Sequence, residues 1–282
     1  MPVLRQTPLL AGPFGPLWRH RRLIALLVWT DVKSTYARAL LGLFWLVLFP
    51  LFYVSVFVAV RVLLFDSASS AADWRGALLG IADVWMVALM IFIGFVVFWD
   101  ATEILTRSIS AVQRKSGYVQ DSRFPVEALP WVTIGVAAFN LVSRFILFVG
   151  VFVLVTQQIQ TTIVLFPLVV APLMLIMVGV GFLLAAVGPY VPDLEQVMAA
   201  LTTGLLLLSA VIFPLSEVPE SYRPFVIYNP IAMTIEQARL VAVLGRMPDW
   251  SYLGWCAGIG AALSWTGFMI FRRLRKGFAD VL

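Results

Sequence analysis

Few side chains in this 282-residue chain could do chemistry, and they exclude more functions than they suggest. The chain has one histidine, His20, and one cysteine, Cys256, which argues against a zinc site and against a Cys–His nucleophile pair. No Gly-x-x-x-x-Gly-Lys run occurs, so the chain should not bind the phosphates of ATP itself. We therefore expect no catalytic, cofactor-binding or metal-binding residues. An ATP-driven role would need a partner subunit that binds ATP and Mg²⁺.

The most unusual ionisable residue is Arg144, which lies near the middle of an apolar block. A charge inside a membrane span costs about 2.5–3.5 kcal/mol even on a lenient scale, so Arg144 should face protein or water. Asn140 lies one helical turn earlier on the same face and could hydrogen-bond to Arg144. The two side chains could contact an anionic or hydroxyl-rich substrate. Alternatively, Arg144 could anchor neighbouring helices or mark a shifted span boundary.

Aromatic side chains offer a second kind of binding surface. Trp45, Phe49 and then Phe52 or Tyr53 recur at helical spacing and form one stripe. Such a stripe could line a conduit and stack on sugar rings, or it could face lipid or pack against other helices. The same alternatives hold for four later aromatic residues, Trp85, Phe92, Phe95 and Trp99.

The composition indicates that these residues are positioned by a membrane domain. Apolar residues make up 61% of the chain and charged residues 12%, against roughly 45–50% and about 25% in a soluble domain. Mean hydropathy is +0.96. The net charge of +5 comes from basic residues at the ends of apolar blocks rather than from a continuous stripe, so nucleic acid is not an expected partner.

Six apolar blocks predict an all-α integral membrane protein with six transmembrane helices in one domain. The blocks are residues 40–60, 81–99, 132–155, 163–187, 197–213 and 253–271. Pro50 should kink the first of these helices. Most of the 20 Lys and Arg residues fall on the side of the two termini, so both termini should be cytoplasmic.

Three polar segments complete the predicted architecture. Residues 17–39 mix basic and apolar residues and predict an amphipathic interfacial helix against lipid headgroups, or a leader that only orients the protein. Residues 101–130 predict a cytoplasmic loop with a short helix between spans 2 and 3. Residues 214–250 contain four prolines and a helix-like piece at 231–244 that carries too much charge to cross the membrane.

Five motifs in order resemble the type-2 ABC transporter permeases that export cell-surface polysaccharides, including O-antigen, teichoic-acid and capsule exporters. They lie where that family has the start of its first span, the loop before its third span, the end of its fourth span and the loop after its fifth. The motifs are WTDVKSTY at 29–36, LGLFW at 41–45, FPVEALP at 124–130, Asp193, and FPLSEVPE at 213–220 followed by YNPI at 228–231.

The resemblance implies a homodimeric permease in the bacterial cytoplasmic (inner) membrane, bound to two copies of a separate ABC ATPase. Its substrate would be a lipid-linked, O-antigen-like polysaccharide. The same scaffold could instead export teichoic acid, capsule, a lipid or a drug. A membrane-embedded glycolipid enzyme is the remaining alternative, although the sequence supplies no cluster of carboxylates or histidines for it.

The resemblance also implies roles for particular residues. Segment 108–119 would be the coupling helix in the ATPase cleft, with Arg114, Lys115 and Tyr118 making the contact. Lys33 and Arg38 would bind the diphosphate of the lipid carrier, or they could be orientation charges only. Residues 214–250 would form re-entrant helices that gate the outer mouth, and the predicted gate residues are Glu217, Tyr222, Tyr228 and Asn229.

Overall fold

The structure, a computed structural model, describes residues 12–37, 42–61, 81–119, 124–212, 215 and 220–278. Over these ranges the chain is predominantly helical, without a strand. The α-helices are α1 Phe14–Arg19, α2 Arg21–Ala37, α3 Trp45–Arg61, α4 Ile81–Ile109, α5 Ser116–Val119, α6 Ala128–Thr156, α7 Phe166–Val187, α8 Leu194–Leu208, α9 Arg223–Ile227, α10 Pro230–Ala242 and α11 Trp250–Leu274. The predicted all-α class is confirmed for this part of the chain.

Four helical segments are long and apolar enough to cross a membrane. They are Val84–Ile109, Ala128–Thr156, Thr161–Tyr190 and Trp250–Gly277. They correspond to predicted spans 2, 3, 4 and 6. The other two predicted spans coincide with α3 and α8, which are apolar but have only 17 and 15 residues. Helix α8 ends at Leu208, before the predicted end at residue 213, and Ala210 has a positive φ of 49°.

Helix α4 is longer than the sequence predicts, and this changes the position of its charged residues. The predicted span ends at residue 99 and a loop begins at 101, whereas the helix continues to Ile109. Within this extension Glu103 and Arg107 form an i,i+4 ion pair of 3.0 Å, a spacing that stabilises helices. Glu103 and Arg107 are therefore parts of a rigid helix.

The predicted coupling helix 108–119 is two shorter pieces. Helix α4 ends at Ile109, and a turn leads to a 3₁₀ helix at Gln113–Lys115 and then to the four-residue α5. Helix α6 begins at Ala128, earlier than predicted, with Pro130 in its first turn, where no intrahelical amide donor is needed. Within the described part of this polar connection, residues 113–119 are helical.

The predicted interfacial helix is also divided, at His20, into α1 and α2. Helix α2 buries Ile24, Leu27 and Val32, whereas the basic residues Arg22 and Lys33 are exposed. Its buried side packs on α6, where Val28 lies against Gly135. The apolar residues of the amphipathic pattern thus lie on the side of α2 that meets the helical bundle.

Helices α7 and α11 also pack closely against each other. A Cβ atom at Gly267 of α11 would overlap the backbone of Gly179 in α7, and a Cβ atom at Gly179 would overlap the backbone of Leu263. Glycine is needed at this crossing because the two backbones touch. Helix α4 lies centrally and contacts α3, α6, α7, α8 and α10.

Candidate functional site

A cleft of about 500 Å³ combines aromatic, charged and hydroxyl side chains between helices α3, α4, α6 and α8. Its volume is within the range of about 300–1,000 Å³ that is usual for ligand sites. The lining residues are Phe49 and Tyr53 of α3, Phe95, Phe98, Trp99, Thr102, Glu103, Thr106 and Arg107 of α4, Asn140 and Arg144 of α6, and Thr202, Thr203 and Leu206 of α8.

Glu103 is the centre of the polar wall of this cleft. One carboxylate oxygen accepts a hydrogen bond from Asn140 Nδ2 at 2.7 Å and forms an ion pair with Arg107 Nε at 3.0 Å. The other accepts from Arg144 Nη2 at 3.1 Å. The sequence predicted a bond between Asn140 and Arg144; the structure shows both side chains donating to the same carboxylate, which joins α4 to α6. The carboxylate thereby provides the counter-charge that a cation within a span requires.

A second carboxyl group lies one turn away on the same helix. Asp100 is 1% exposed, and neither of its side-chain oxygens has a hydrogen-bond partner among the described residues. Arg144, in turn, holds its guanidinium 5.6 Å from the centre of the Trp99 ring, a distance suited to a cation–π contact. The polar cluster is therefore enclosed between a buried carboxyl group and an aromatic ring.

Aromatic rings form another part of the lining, the aromatic wall. Phe49 and Tyr53 have ring centres 4.6 Å apart, and Tyr53 meets Trp99 edge-on at 5.6 Å. Trp99 also stacks on Phe95 at 4.8 Å. Such a continuous aromatic surface can cover the apolar face of a ring-shaped ligand, while the polar side chains beside it supply hydrogen bonds.

Four of the six residues predicted to line a conduit share this cleft, namely Phe49, Tyr53, Asn140 and Arg144. Trp45 and Phe52 lie elsewhere on α3 and are 41% and 62% exposed. Whether any of these residues lines a conduit stays a prediction.

Sequence reasoning missed Glu103, Arg107 and the threonines of the cleft. Two signals could have found the first two: the i,i+4 spacing of Glu103 and Arg107, and the need of Arg144 for a carboxylate partner. For Thr202 and Thr203 there was no comparable signal, because hydroxyl residues are common on helix surfaces.

The predicted ATPase-contacting residues have different surroundings. Lys115 Nζ binds both carboxylate oxygens of Asp31 in α2, at 2.9 and 3.1 Å. Arg114 is exposed. Tyr118 is 46% exposed and contacts the Phe124 ring at 4.9 Å. Lys115 thus connects the predicted coupling segment, residues 108–119, to α2, whereas Arg114 and Tyr118 are exposed.

The remaining predicted residues that the structure describes lie outside the cleft. Lys33 is exposed on α2, and Tyr222 and Tyr228 are 64% and 86% exposed. Asn229 caps α10 by accepting from the Ile231 amide, and its Nδ2 donates to the Leu208 carbonyl and to Ser209 Oγ. Arg38 and Glu217 are outside the described residues.

A buried cation, Arg239 of α10, also binds this helix to the rest of the helical bundle. Arg239 is 2% exposed and donates to the carbonyl oxygens of Met90 in α4 and Val211 after α8, at 3.2 and 2.6 Å. It also pairs with Glu236 at 3.2 Å.

In the described part of the chain, no group of three His, Cys, Asp or Glu side chains could hold a metal ion.

Comparison with known proteins assigns the chain to a family. The sequence profile of the ABC-2 type transporter family matches residues 22–242. The O-antigen export system permease protein RfbA of Myxococcus xanthus is 25% identical over 267 residues, which cover 94% of this chain and 96% of that protein. The polysialic acid transport protein KpsM of Escherichia coli is 24% identical over 185 residues, covering 64% and 70%. The chain therefore belongs to the ABC-2 type transporter family.

Proposed function

We propose that this chain is the membrane-spanning subunit of an ATP-driven exporter that moves a lipid-linked, O-antigen-like polysaccharide across the cytoplasmic membrane of a bacterium. The observation that carries the proposal is the cleft lined by both aromatic rings and polar side chains, since sugars present both apolar ring faces and hydroxyl groups. The relative named as an O-antigen export permease, which covers most of this chain, supports the same substrate class.

The proposed assembly is a homodimer with two copies of an ABC ATPase subunit. We place six spans in the membrane, with both termini in the cytoplasm, because the Lys and Arg residues concentrate on that side. The 17 residues of α3 extend about 25 Å, close to the thickness of a hydrocarbon core. Helices α9 and α10 would be the re-entrant elements at the outer face.

Motion of the ATPase would reach the cleft along α4. In this proposal the ATPase binds Arg114 and Tyr118, while Lys115 holds the coupling segment against α2 through Asp31. Helix α4 carries Glu103 and ends at Ile109, where a turn leads to the residues that bind the ATPase in this proposal. A displacement of the coupling segment would therefore shift the Glu103–Arg144 contact and reshape the cleft.

Two further sets of residues complete the proposed route. Lys33 and Arg38 would bind the diphosphate of the lipid carrier at the cytoplasmic surface, where compact cations suit phosphate oxygens. Glu217, Tyr222, Tyr228 and Asn229 would belong to the gate at the outer mouth.

A capsule-type polymer is the second candidate substrate. It is favoured by the relative named as a polysialic acid transport protein, although that similarity covers less of the chain.

The test is export by the reconstituted complex. The permease and its ABC ATPase partner would be placed in vesicles loaded with lipid-linked glycan, and ATP-dependent transfer to the other leaflet would be measured. We expect the double variant F49A/Y53A to reduce transfer by about tenfold or more, because it removes two rings of the aromatic wall. The control is W255A, which removes a ring that is 76% exposed on α11, outside the cleft. Absence of ATP-dependent transfer by the wild-type complex would refute the proposed function.

A further inference from the structure

We propose that a groove between α6 and α7 binds one acyl chain of an anionic phospholipid, whose phosphate is held by three arginines where α1 meets α2. The apolar lining of the groove, its dimensions and the charge beside one of its ends lead to this site. Only the assignment of the site to the inner leaflet rests on the topology of the proposed function.

The groove is apolar along its whole length. It runs between residues 131–145 of α6 and residues 166–178 of α7, and Phe14 of α1 completes its lining. Every lining side chain is apolar. Asn140 and Arg144 lie on the opposite face of α6, towards the cleft described above. The groove is therefore a separate cavity, suited to hydrocarbon rather than to sugar.

Aromatic side chains define the two ends of the groove. At one end Trp131 Nε1 donates to the Pro13 carbonyl oxygen at 3.0 Å, and the Phe14 ring lies 5.3 Å from the Trp131 ring. At the other end the rings of Phe145 and Phe166 are 3.9 Å apart and parallel within 5°, so they join α6 to α7. A chain that enters beside Phe14 thus reaches a closed end.

The dimensions of the groove fit one hydrocarbon chain. From Trp131 to Phe145 the helix rises about 21 Å, whereas one leaflet of the hydrocarbon core is about 15 Å thick. The volume of about 540 Å³ spread over that length gives a mean cross-section of about 26 Å², a circle about 6 Å across. Because carbon atoms touch at about 4 Å, an extended chain fits, whereas a helix about 10–12 Å across is too wide.

Three exposed arginines lie beside the end of the groove at Phe14. Arg19 ends α1, and Arg21 and Arg22 begin α2. No acidic residue occurs between positions 14 and 30, so the local charge is positive. Trp18, next to the arginines, is 71% exposed, as is typical of tryptophan at a membrane interface.

Contacts of α1 and α2 with α6 keep these arginines close to the groove. The Pro13 carbonyl binds Trp131, and Val28 of α2 packs against Gly135, one turn further along the same face of α6. Each arginine is six or seven residues from Pro13 or Val28, so helical rise keeps it within about 11 Å of one of these contacts. A phosphate among the arginines is therefore placed where an acyl chain enters the groove.

An anionic phospholipid matches both parts of this site. Clustered basic residues attract anionic lipids at a membrane surface, and guanidinium groups bind phosphate oxygens in a bidentate manner. A zwitterionic phospholipid with the same chains would fill the groove equally, but it has no net charge. The long polyprenyl chain of a lipid carrier exceeds the groove, which closes at Phe145 and Phe166.

Binding of two phospholipids with identical chains tests the contact with the headgroup. The full-length permease in detergent would be titrated with dioleoylphosphatidylglycerol, the anionic probe, and dioleoylphosphatidylcholine, the zwitterionic probe. Native mass spectrometry counts the bound molecules. We expect the wild type to bind its tightest anionic lipid at least about tenfold more strongly than the zwitterionic one. The variant R19Q/R21Q/R22Q should lose this preference.

A matched control removes the same amount of charge elsewhere. The variant R114Q/R246Q/K276Q replaces three exposed basic residues that do not line the groove. We expect it to keep the preference of the wild type for the anionic probe.

The groove is tested by filling it. A171W introduces a large ring from an exposed position of α7 that lines the groove, so it should weaken binding of both probes about tenfold at an unchanged unfolding temperature. A262W makes the same change at an exposed position of α11 outside the groove and should leave binding unchanged.

Three results would overturn the proposal: equal binding of both probes by the wild type, loss of the preference in the control with three basic residues replaced, or wild-type binding by A171W. Tighter binding of a polyprenyl diphosphate than of the anionic probe, abolished by A171W, would assign the groove to the lipid carrier and overturn the proposal as well. The titration contains neither glycan nor ATP, so its failure is distinguishable from a failure of the proposed export.

Discussion

At the residue scale, the most consequential contact is the carboxylate of Glu103 between Arg107, Asn140 and Arg144. Arg144 is the only one of the two arginines that the sequence places well inside a span, and its side chain is 16% exposed. Its charge is tolerable because a carboxylate lies within hydrogen-bonding distance. Glu103 consequently serves the stability of the helical bundle as well as the chemistry of the cleft.

This dual role predicts a specific rescue. E103L should destabilise the protein by about 3–5 kcal/mol, because it leaves Arg144 buried without its counter-charge. The double variant E103L/R144M should recover at least half of that loss, since it removes both charges and keeps apolar bulk. Thermal unfolding of the purified protein in detergent measures both effects. A double variant less stable than E103L would show that Arg144 is stabilised mainly by other groups.

At the element scale, the crossing of α7 and α11 depends on closely packed glycines, Gly179 of α7 and Gly260 and Gly267 of α11. G267A places a methyl group against the Gly179 backbone and should destabilise the protein by about 1–3 kcal/mol. G258A lies on the same helix, but its methyl group would meet no atom within 4 Å. Because alanine favours helix over glycine by up to about 1 kcal/mol, G258A should be neutral or stabilising. Equal unfolding temperatures for the two variants would contradict the close crossing.

The second element-scale feature is the ion pair that connects the coupling segment to α2. Both side chains are partly exposed, so D31N should change the free energy of unfolding by less than about 1 kcal/mol. We nevertheless expect it to reduce glycan transfer per ATP hydrolysed, because the coupling segment would then move without α2. The charge-reversed double variant D31K/K115D should restore the ratio. A D31N complex with the wild-type ratio of transfer to hydrolysis would show that the pair has no coupling role.

At the scale of the whole molecule, the proposed topology assigns each connection to one side of the membrane. In a C256A background, a cysteine at Gln158, between α6 and α7, should react with a membrane-impermeant maleimide added to intact cells. A cysteine at Arg114 should react only after the cells are opened, because the coupling segment is cytoplasmic in the proposal. Labelling of Arg114→Cys in intact cells would reverse the assigned orientation.

Much of the architecture follows from local properties of the sequence. Apolar blocks of about 20 residues between charged segments are sufficient to predict helices that cross a membrane, and four helices have the required length. The apolar residues Ile24 and Leu27 lie on the buried side of α2. Helix ends were less predictable: α4 continues past Asp100, where Glu103 and Arg107 pair on the helix and Glu103 also binds Arg144 of α6.

The sequence by itself determined the helical membrane class, the family motifs and the anomaly of a cation within a span. Only the tertiary structure decided that Glu103 is the partner of Arg144, that Phe49 and Tyr53 face a cleft whereas Phe52 does not, and that α8 contributes threonines. The physical reason is that helical periodicity fixes which residues share a face. Which neighbour covers that face depends on how helices distant in sequence pack together, and the chemistry of the cleft arises from that packing.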